Sequence, residues 1–151
     1  MLVDAAAEAR LVPATLTAST RSQLQRLSPR LGNNPVDIGP LMSLRDNPFE
    51  LYLDVVPAVL SDPNVDCLTM VCHLGPPIVK VLTELAPQIS KIGKPVTTFG
   101  YGIDLAEMQE SARTIEASGL PVYLDLESTV KALGVAAAYS RIKSRLEGGN
   151  R

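Results

Sequence analysis

The sequence predicts an α/β domain in which helices cover both faces of a parallel sheet. Residues 65–74, VDCLTMVCHL, are mostly apolar at odd and even positions alike, which is typical of an interior parallel strand. This run and two shorter apolar runs alternate with helical segments at intervals of roughly 25 residues, which predicts βαβ units. The two strands of such a unit are parallel and the crossover between them is almost always right-handed, so we expect one parallel sheet.

Composition places the chain among ordinary globular domains. Its 151 residues suit one domain, and we expect that domain to span 1–147, with a disordered tail at 148–151. The net charge is −2, from 14 basic and 16 acidic residues without long runs, so we expect neither nucleic acid nor a membrane as partner. The N-terminus lacks the pattern of a signal or transit peptide, and we expect a cytoplasmic protein.

The first elements are less regular. Residues 1–10 are rich in alanine and predict a helix without a preceding cap. Residues 11–17, LVPATLT, alternate and predict a short edge or half-buried strand, weakened by its proline. Thr20 and Gln23 form a capping box, so a second helix should begin there and end near residues 28–32.

A loop and a capped helix follow. We expect residues 32–40, GNNPVDIGP, to form a loop. Asn47, Pro48 and Glu50 together are typical of a helix start. Pro57 should kink or shorten that helix, because proline cannot donate to the preceding turn.

The second half of the chain has clearer helix and strand boundaries. A turn at residues 75–77 leads into a helix that should end at Gly93, and residues 96–100 predict a second strand. Asp104 should cap a helix that closes at Gly119, before a third strand at 120–124. The last helix is expected to begin at Asp125 and to end near Leu146.

The cysteines and the single histidine do not predict a metal or thiol site. Cys67 and Cys72 are an odd number of residues apart on one strand, so their side chains point to opposite faces and cannot easily bridge. Neighbouring Cys72 and His73 also point apart, which disfavours a nucleophilic pair. We expect buried, inert cysteines and no metal site.

Three loops are candidate ligand contacts, because parallel sheets bind ligands at the carboxyl ends of their strands. They are HLGPP at 73–77, GYGID at 100–104 and DIGPL at 37–41. In the loop at 100–104, the backbone of the two glycines lies near a helix N-terminus and could approach an acyl or phosphoryl group. A tight turn is the alternative explanation for Gly100 and Gly102.

Four segments in this order resemble a known family. They are NNPVDIG (33–39), LSDPNVDCLTMV (60–71), KPVTTFGYG with the following helix (94–117) and ASGLPVYLDLESTVKALG (117–134). The chain resembles the C-terminal, flavodoxin-like CoA-ligase domain of NDP-forming acyl-CoA synthetases, in the succinyl-CoA synthetase superfamily. The resemblance implies a three-layer αβα fold.

The resemblance also implies a function as part of a larger enzyme. The family interconverts acyl-CoA, NDP and phosphate with acid, CoA and NTP through a phosphohistidine on another domain. This chain would contribute acyl-site walls and an interface, with no catalytic residue, and would be inactive alone. Its expected partners are the CoA-binding, phosphohistidine and ATP-grasp domains, and a homodimer is possible. CoA, nucleotide and Mg would bind only in the assembled enzyme, with no cofactor bound by this chain alone.

Seven residues are candidate substrate contacts on this basis: Asn34, Asp37, Gly39, His73, Gly75, Gly100 and Gly102. A simpler explanation for Asp37 is that its carboxylate does no more than cap the loop. His73 lacks the Ser-His-Thr-Gly context of the family's phosphohistidine, so a site-lining or purely structural role is favoured over a carrier role.

The resemblance further implies that the first strand of the domain is missing. The chain begins partway along the helix that follows this strand in the family, so the phosphate-facing loop is absent. In the strand order 2-1-3-4-5 the missing strand would be central. We expect a strand from another chain, or a rearranged 11–17 segment, to fill the gap.

Two alternatives remain open from the sequence. One is a non-catalytic regulatory or interaction module, such as the synthetase-like part of a protein acyltransferase. The other is a flavin or nucleotide binder, which is weakened because no Thr/Ser-rich phosphate loop follows a first strand.

Overall fold

A parallel three-stranded sheet lies at the centre of the described residues, 2–42 and 47–148 of the computed structural model. The strands are β1 (Leu68–His73), β2 (Val96–Tyr101) and β3 (Val122–Tyr123), in the order β1-β2-β3. The register pairs Leu68 with Val96 and His73 with Tyr101. The α/β class and the parallel sheet predicted from the sequence are confirmed.

Helices occupy most of the remaining described residues: α1 (Leu2–Glu8), α2 (Ala18–Leu27), α3 (Gly39–Met42), α4 (Leu51–Leu60), α5 (Pro76–Ile92), α6 (Leu105–Ala117) and α7 (Leu126–Gly148). Single 3₁₀ turns lie at Pro29–Gly32 and Pro48–Glu50. Residues 149–151 of the predicted tail lie outside the described ranges.

The boundaries in the second half follow their local chemistry. Gly93 and Gly119 end α5 and α6 with φ of 74° and 94°, a conformation that glycine adopts without steric cost. The Asp104 carboxylate accepts a hydrogen bond from the Glu107 N–H at 2.8 Å. The Asp125 carboxylate does the same for the Ser128 N–H at 2.7 Å. These predicted caps and stops are confirmed.

Helices cover the two faces of the sheet unequally. Met70 and Cys72 of β1 point into the main core with α5 and α6, while residues of opposite parity face α7, which contacts all three strands. Val71 remains 40% exposed and Tyr101 47% exposed on that second face. The carboxyl ends of β1 and β2 are therefore only partly covered there.

Residues 11–17 do not form the predicted strand. Side chains rather than a neighbouring strand bind their backbone: the Asn34 amide donates to Ala14 O at 2.9 Å and the Asn64 amide donates to Thr15 O at 2.9 Å. The capping box predicted at Thr20 is also wrong. Thr17 is the cap of α2, because its hydroxyl accepts from the Thr20 N–H at 3.3 Å.

The predicted helix start at Asn47 leads into a 3₁₀ turn rather than directly into an α-helix. The Asn47 side chain does not cap the backbone, since its amide donates to the Glu50 carboxylate at 2.9 Å. Helix α4 contains Pro57 and ends three residues later, at Leu60. The predicted loop at 32–40 contains the beginning of the short helix α3.

Helix α4 contributes to two hydrophobic cores. Tyr52, Val56 and Leu60 pack in the main core between the sheet and α5. Leu51, Val55, Ala58 and Val59 pack against a second core, whose other buried residues are Leu16, Leu24, Leu31, Leu41 and Val65. Helix α2 is therefore attached to the sheet layer through α4, while α1 packs on α7.

Asp62 joins three distant segments of the chain. Its side chain accepts hydrogen bonds from the Thr17 N–H at 2.8 Å, the Thr17 hydroxyl at 2.9 Å and the Asn64 N–H at 2.9 Å. Its carbonyl accepts from Lys94 Nζ at 2.8 Å. Asp62 and Lys94 belong to two of the segments that carry the family resemblance, and here they fix the positions of α2 and β2.

We expect Asp62→Asn to lower stability at neutral pH and to flatten its acid dependence. Burial opposes ionisation of Asp62, but hydrogen bonds from Thr20, Asn64 and Thr17 lower its pKa from 3.8 to about 2. The ionised carboxylate therefore stabilises the fold fully above the unfolded pKa of 3.8, and this contribution is lost as the pH falls toward 2.

Urea denaturation between about pH 6 and pH 2 measures this difference. The gap in unfolding free energy between wild type and Asp62→Asn should close toward low pH. Asp54→Asn, at an exposed position of α4, serves as control. A gap that stays constant over this pH range would contradict the prediction.

Candidate functional site

A groove lies along β1 and reaches its carboxyl end, and we call it the upper groove. Its volume is about 500 Å³, and apolar side chains from α4 and β1 form much of its lining. Its polar and aromatic lining comes from Asp37, Tyr52, His73 and Tyr101. Ligand pockets commonly combine a mainly apolar lining with a few fixed polar groups, so this groove is the first candidate binding site.

Two aromatic rings form the open end of the upper groove. His73 and Tyr101 are register partners at the ends of β1 and β2, and their rings meet edge to face with centroids 5.4 Å apart. The Phe99 ring lies 6.3 Å from that of Tyr101. Beyond them, Ile103 is 98% exposed and Leu105 is 61% exposed. The strand ends thus present an exposed apolar and aromatic surface.

Tyr52 and Cys72 stay protonated at neutral pH. The Tyr52 hydroxyl donates to Val71 O at 2.7 Å, and burial raises the pKa of that hydroxyl. Burial also raises the pKa of the Cys72 thiol to about 12. Since the thiolate is the nucleophile, a neutral and buried Cys72 agrees with the expectation of an inert cysteine. Both cysteines are free, but Cys67 is only partly buried, so the expectation of buried cysteines is wrong for Cys67.

The structure brings three of the seven candidate contacts together. Asp37, Gly39 and His73 line the upper groove. Asp37 also makes the simpler interaction considered from the sequence, because its carboxylate accepts from the Gly39 N–H at 2.9 Å. One carboxylate oxygen is therefore occupied by the loop, and the other can still face the groove.

The remaining four candidates lie elsewhere. Asn34 lines a second groove and donates to Ala14 O. Gly75 is the N-cap of α5 in extended conformation. A Cβ on Gly100 would lie 2.4 Å from Leu74 Cδ1, and one on Gly102 would lie 2.9 Å from Met108 Cγ. Packing of Leu74 and Met108 therefore accounts for these last two glycines without a ligand.

Two lining residues, Tyr52 and Tyr101, were not among the seven predicted contacts. Tyr101 lies in the candidate loop at 100–104, between the two glycines, and ends β2 in the structure. Tyr52 lies four residues before Val56 and eight before Leu60, so the helical periodicity could have placed it on the buried face of α4. Nothing in the sequence predicted the hydrogen bond from the Tyr52 hydroxyl to β1.

The described ranges show no group of three His, Cys, Asp or Glu side chains placed to hold a metal ion. None of the helices in those ranges combines the length and the apolar character that a membrane span requires.

The fold is an α/β domain with a parallel sheet, and its candidate groove lies along β1 and reaches the strand ends. The chain is 27% identical over 141 residues to acetate--CoA ligase [ADP-forming] II of Archaeoglobus fulgidus, and the match covers 91% of this chain. This similarity confirms the resemblance found in the sequence. The chain spans only 20% of the length of that ligase. No family model matches it.

A solved structure shares the fold. The crystal structure of PH0766 from Pyrococcus horikoshii OT3 superposes with a TM-score of 0.70 at 22% sequence identity. The match covers 89% of this chain and 31% of that one. In both comparisons the chain corresponds to one part of a longer protein.

Proposed function

We propose that this chain works as one domain of an NDP-forming acyl-CoA synthetase, with its upper groove as part of the acyl site. In the assembled enzyme, acyl-CoA, NDP and phosphate would be interconverted with acid, CoA and NTP through a phosphohistidine on another domain. The observation that carries the proposal is the similarity of 91% of the chain to a fifth of an ADP-forming acetate–CoA ligase.

The upper groove supports the role of acyl-site wall. Val36, Ile38 and Val56 lie among its apolar lining residues, and such a surface favours an acyl group over water. His73 and Tyr101 stand at its open end, where a thioester could pass between this domain and a neighbouring one. Their ring nitrogens and hydroxyl can donate or accept a hydrogen bond at the acyl carbonyl. The exposed side chains Ile103 and Leu105 would then pack at the domain interface.

Complementation with separate domains tests the proposal. The chain would be mixed with the part of the Archaeoglobus fulgidus ligase that lies outside the matched region, and NTP formation from acetyl-CoA, ADP and phosphate would be followed. We expect no turnover by the chain alone and measurable turnover by the mixture. His73→Ala and Tyr101→Ala should each lower kcat/KM for acetyl-CoA by about tenfold, which corresponds to ~1.4 kcal/mol of transition-state stabilisation.

Val135→Ala is the matched control, because Val135 is 71% exposed on α7 and lies outside both grooves. It should leave turnover unchanged. A complex that forms without turnover would contradict the ligase proposal and favour the regulatory module. Turnover that is insensitive to both His73→Ala and Tyr101→Ala would remove the upper groove from the acyl site.

A further inference from the structure

Helix α7 carries an apolar stripe on its exposed side. Four large apolar residues follow one another at spacings of four, three and four: Val135, Tyr139, Ile142 and Leu146. Their side chains are between 56% and 71% exposed. Ala132, which is partly buried, continues the pattern toward the N-terminus. These five residues occupy successive a and d positions of a heptad repeat over ~21 Å of helix, and we call them the α7 seam.

The α7 seam does not belong to the core of the domain. Val130, Leu133 and Ala137 of the same helix are buried, and at about 100° per residue they lie on the side of α7 opposite the seam. Single apolar side chains are common on protein surfaces. An unbroken run of apolar a and d positions is instead typical of a helix that pairs with another helix.

The α7 seam is narrow. Lys143 and Arg145 occupy the e and g positions on either side of Ile142 and Leu146, and residues 139–148 contain three basic residues against one acidic residue. A stripe confined to a and d positions is the contact surface of a coiled coil. A helix that lies in a membrane surface buries a broader apolar face. The width of the seam therefore favours a partner helix over a lipid surface.

Basic grooves adjoin both flanks of the α7 seam. One groove, of about 490 Å³, lies between α7 and the C-terminal end of α5, and Lys94 and Lys143 line it. No aspartate or glutamate of the described residues lines this groove. Another groove, of about 340 Å³, is lined by Arg141 and Arg145 together with the single acid Asp66. Positive charge therefore predominates on both flanks, which favours a partner with acidic flanks.

A second copy of this chain does not supply the complementary charges. Two parallel copies of α7 would place their Lys143 and Arg145 side chains at the same level, where like charges repel. Two antiparallel copies, with Val135 of one helix opposite the last seam residue of the other, would place these basic side chains beside Ala136 and Ala138. Neither arrangement pairs the basic flanks with an acid.

We propose that the α7 seam binds an acidic amphipathic helix of a partner protein, with apolar residues at its a and d positions and Asp or Glu at its e and g positions. Its apolar residues would pack on Tyr139, Ile142 and Leu146, and its carboxylates would face Lys143 and Arg145. The proposal involves no acyl-CoA chemistry and no residue of the upper groove. Peptide binding therefore tests it separately from the proposed function.

Fluorescence anisotropy of a labelled peptide titrated with the full chain tests the proposal. The probe has three repeats of Glu-Ile-Ala-Ala-Leu-Glu-Gln, which place isoleucine at a, leucine at d and glutamate at e and g. The control peptide has lysine in place of every glutamate. We expect saturable binding of the acidic peptide, about tenfold or more tighter than binding of the basic peptide, because only the acidic peptide complements Lys143 and Arg145.

Two variants assign the binding to the α7 seam. Ile142→Ser removes one apolar contact at an exposed side chain, so the fold is kept, and it should weaken binding of the acidic peptide by about fivefold or more. Lys143→Glu combined with Arg145→Glu reverses the charge of both flanks and should make the basic peptide the tighter ligand. Leu105→Ser and Arg113→Glu change exposed residues of α6 and are the matched controls. Neither control should change the affinity, and far-UV circular dichroism checks that every variant is folded.

Absence of binding by the acidic peptide would overturn the proposal, as would equal binding of both peptides. An equal loss of affinity in Ile142→Ser and Leu105→Ser would also overturn it, because the peptide would then bind exposed apolar surface in general. Two further outcomes would assign the α7 seam to another occupant. One is a dimer in sedimentation that Ile142→Ser converts to a monomer. The other is binding to vesicles of phosphatidylcholine and phosphatidylserine, at about two to one, that Ile142→Ser abolishes.

Discussion

Leu82→Ala is expected to destabilise the domain by about 2 to 5 kcal/mol, the range for truncating a fully buried leucine. Leu82 lies at 0% exposure on α5, within the core that joins this helix to the sheet. The substitution removes the transfer free energy of the lost methyl groups and leaves a cavity that the neighbouring helix and strand can only partly fill. Since small domains are stable by only about 5 to 15 kcal/mol, this loss is a large fraction of the total.

Leu146→Ala is the matched control for this prediction. The same atoms are removed from α7 at a side chain that is 71% exposed, so we expect a change within about 0.5 kcal/mol. Guanidinium denaturation followed by far-UV circular dichroism gives both values. Equal losses in the two variants would show that Leu82 does not pack in the main core.

Gly100→Val is expected to cost about 1 to 3 kcal/mol or more through overpacking. Gly100 lies in β2, the central strand, and a Cβ there would lie 2.4 Å from Leu74 Cδ1 and 2.8 Å from Leu74 Cγ. Leu74 is itself 2% exposed, so it has little room to move. The strain should therefore reach the pairing of β1 with β2.

Thermal unfolding of Gly100→Val with Leu74→Ala in the same chain tests this cause. Space opened by the smaller residue should relieve part of the strain, so the cost of the double variant should be less than the sum of the two single costs. Simple additivity would mean that Gly100 is required for another reason, and its candidate role as a ligand contact would then regain support.

The fold class was predictable because its signals are local. The apolar run of β1, the glycines after α5 and α6 and the aspartates before α6 and α7 each act within a few residues. The strand predicted at 11–17 failed for the opposite reason. Its backbone partners, Asn34 and Asn64, lie 20 and 49 residues away from the carbonyls they bind. Nothing in the sequence indicates that either amide forms such a hydrogen bond.

The candidate site was predictable only in part. Strand-end topology brought His73 to the upper groove, because carboxyl ends of parallel strands share one side of a sheet. Gly100 and Gly102 were predicted to let a ligand approach the backbone. In the structure, the packing of Leu74 and Met108 explains why these positions are glycine, and this packing depends on tertiary contacts that the sequence does not show. Tyr52 lines the upper groove from helix α4, and the rule that ligands bind at the carboxyl ends of strands does not predict a contact from this helix.

The double role of α4 has a consequence for how the domain melts. One side of this ten-residue helix belongs to the main core and the other to the N-terminal core, so neither core can lose its packing without exposing apolar surface of the other. The two cores should therefore act as a single cooperative unit, with amides of α2 and α5 exchanging through the same global opening. A chain of two cores joined by a flexible loop would instead give two transitions, whereas a shared helix gives one.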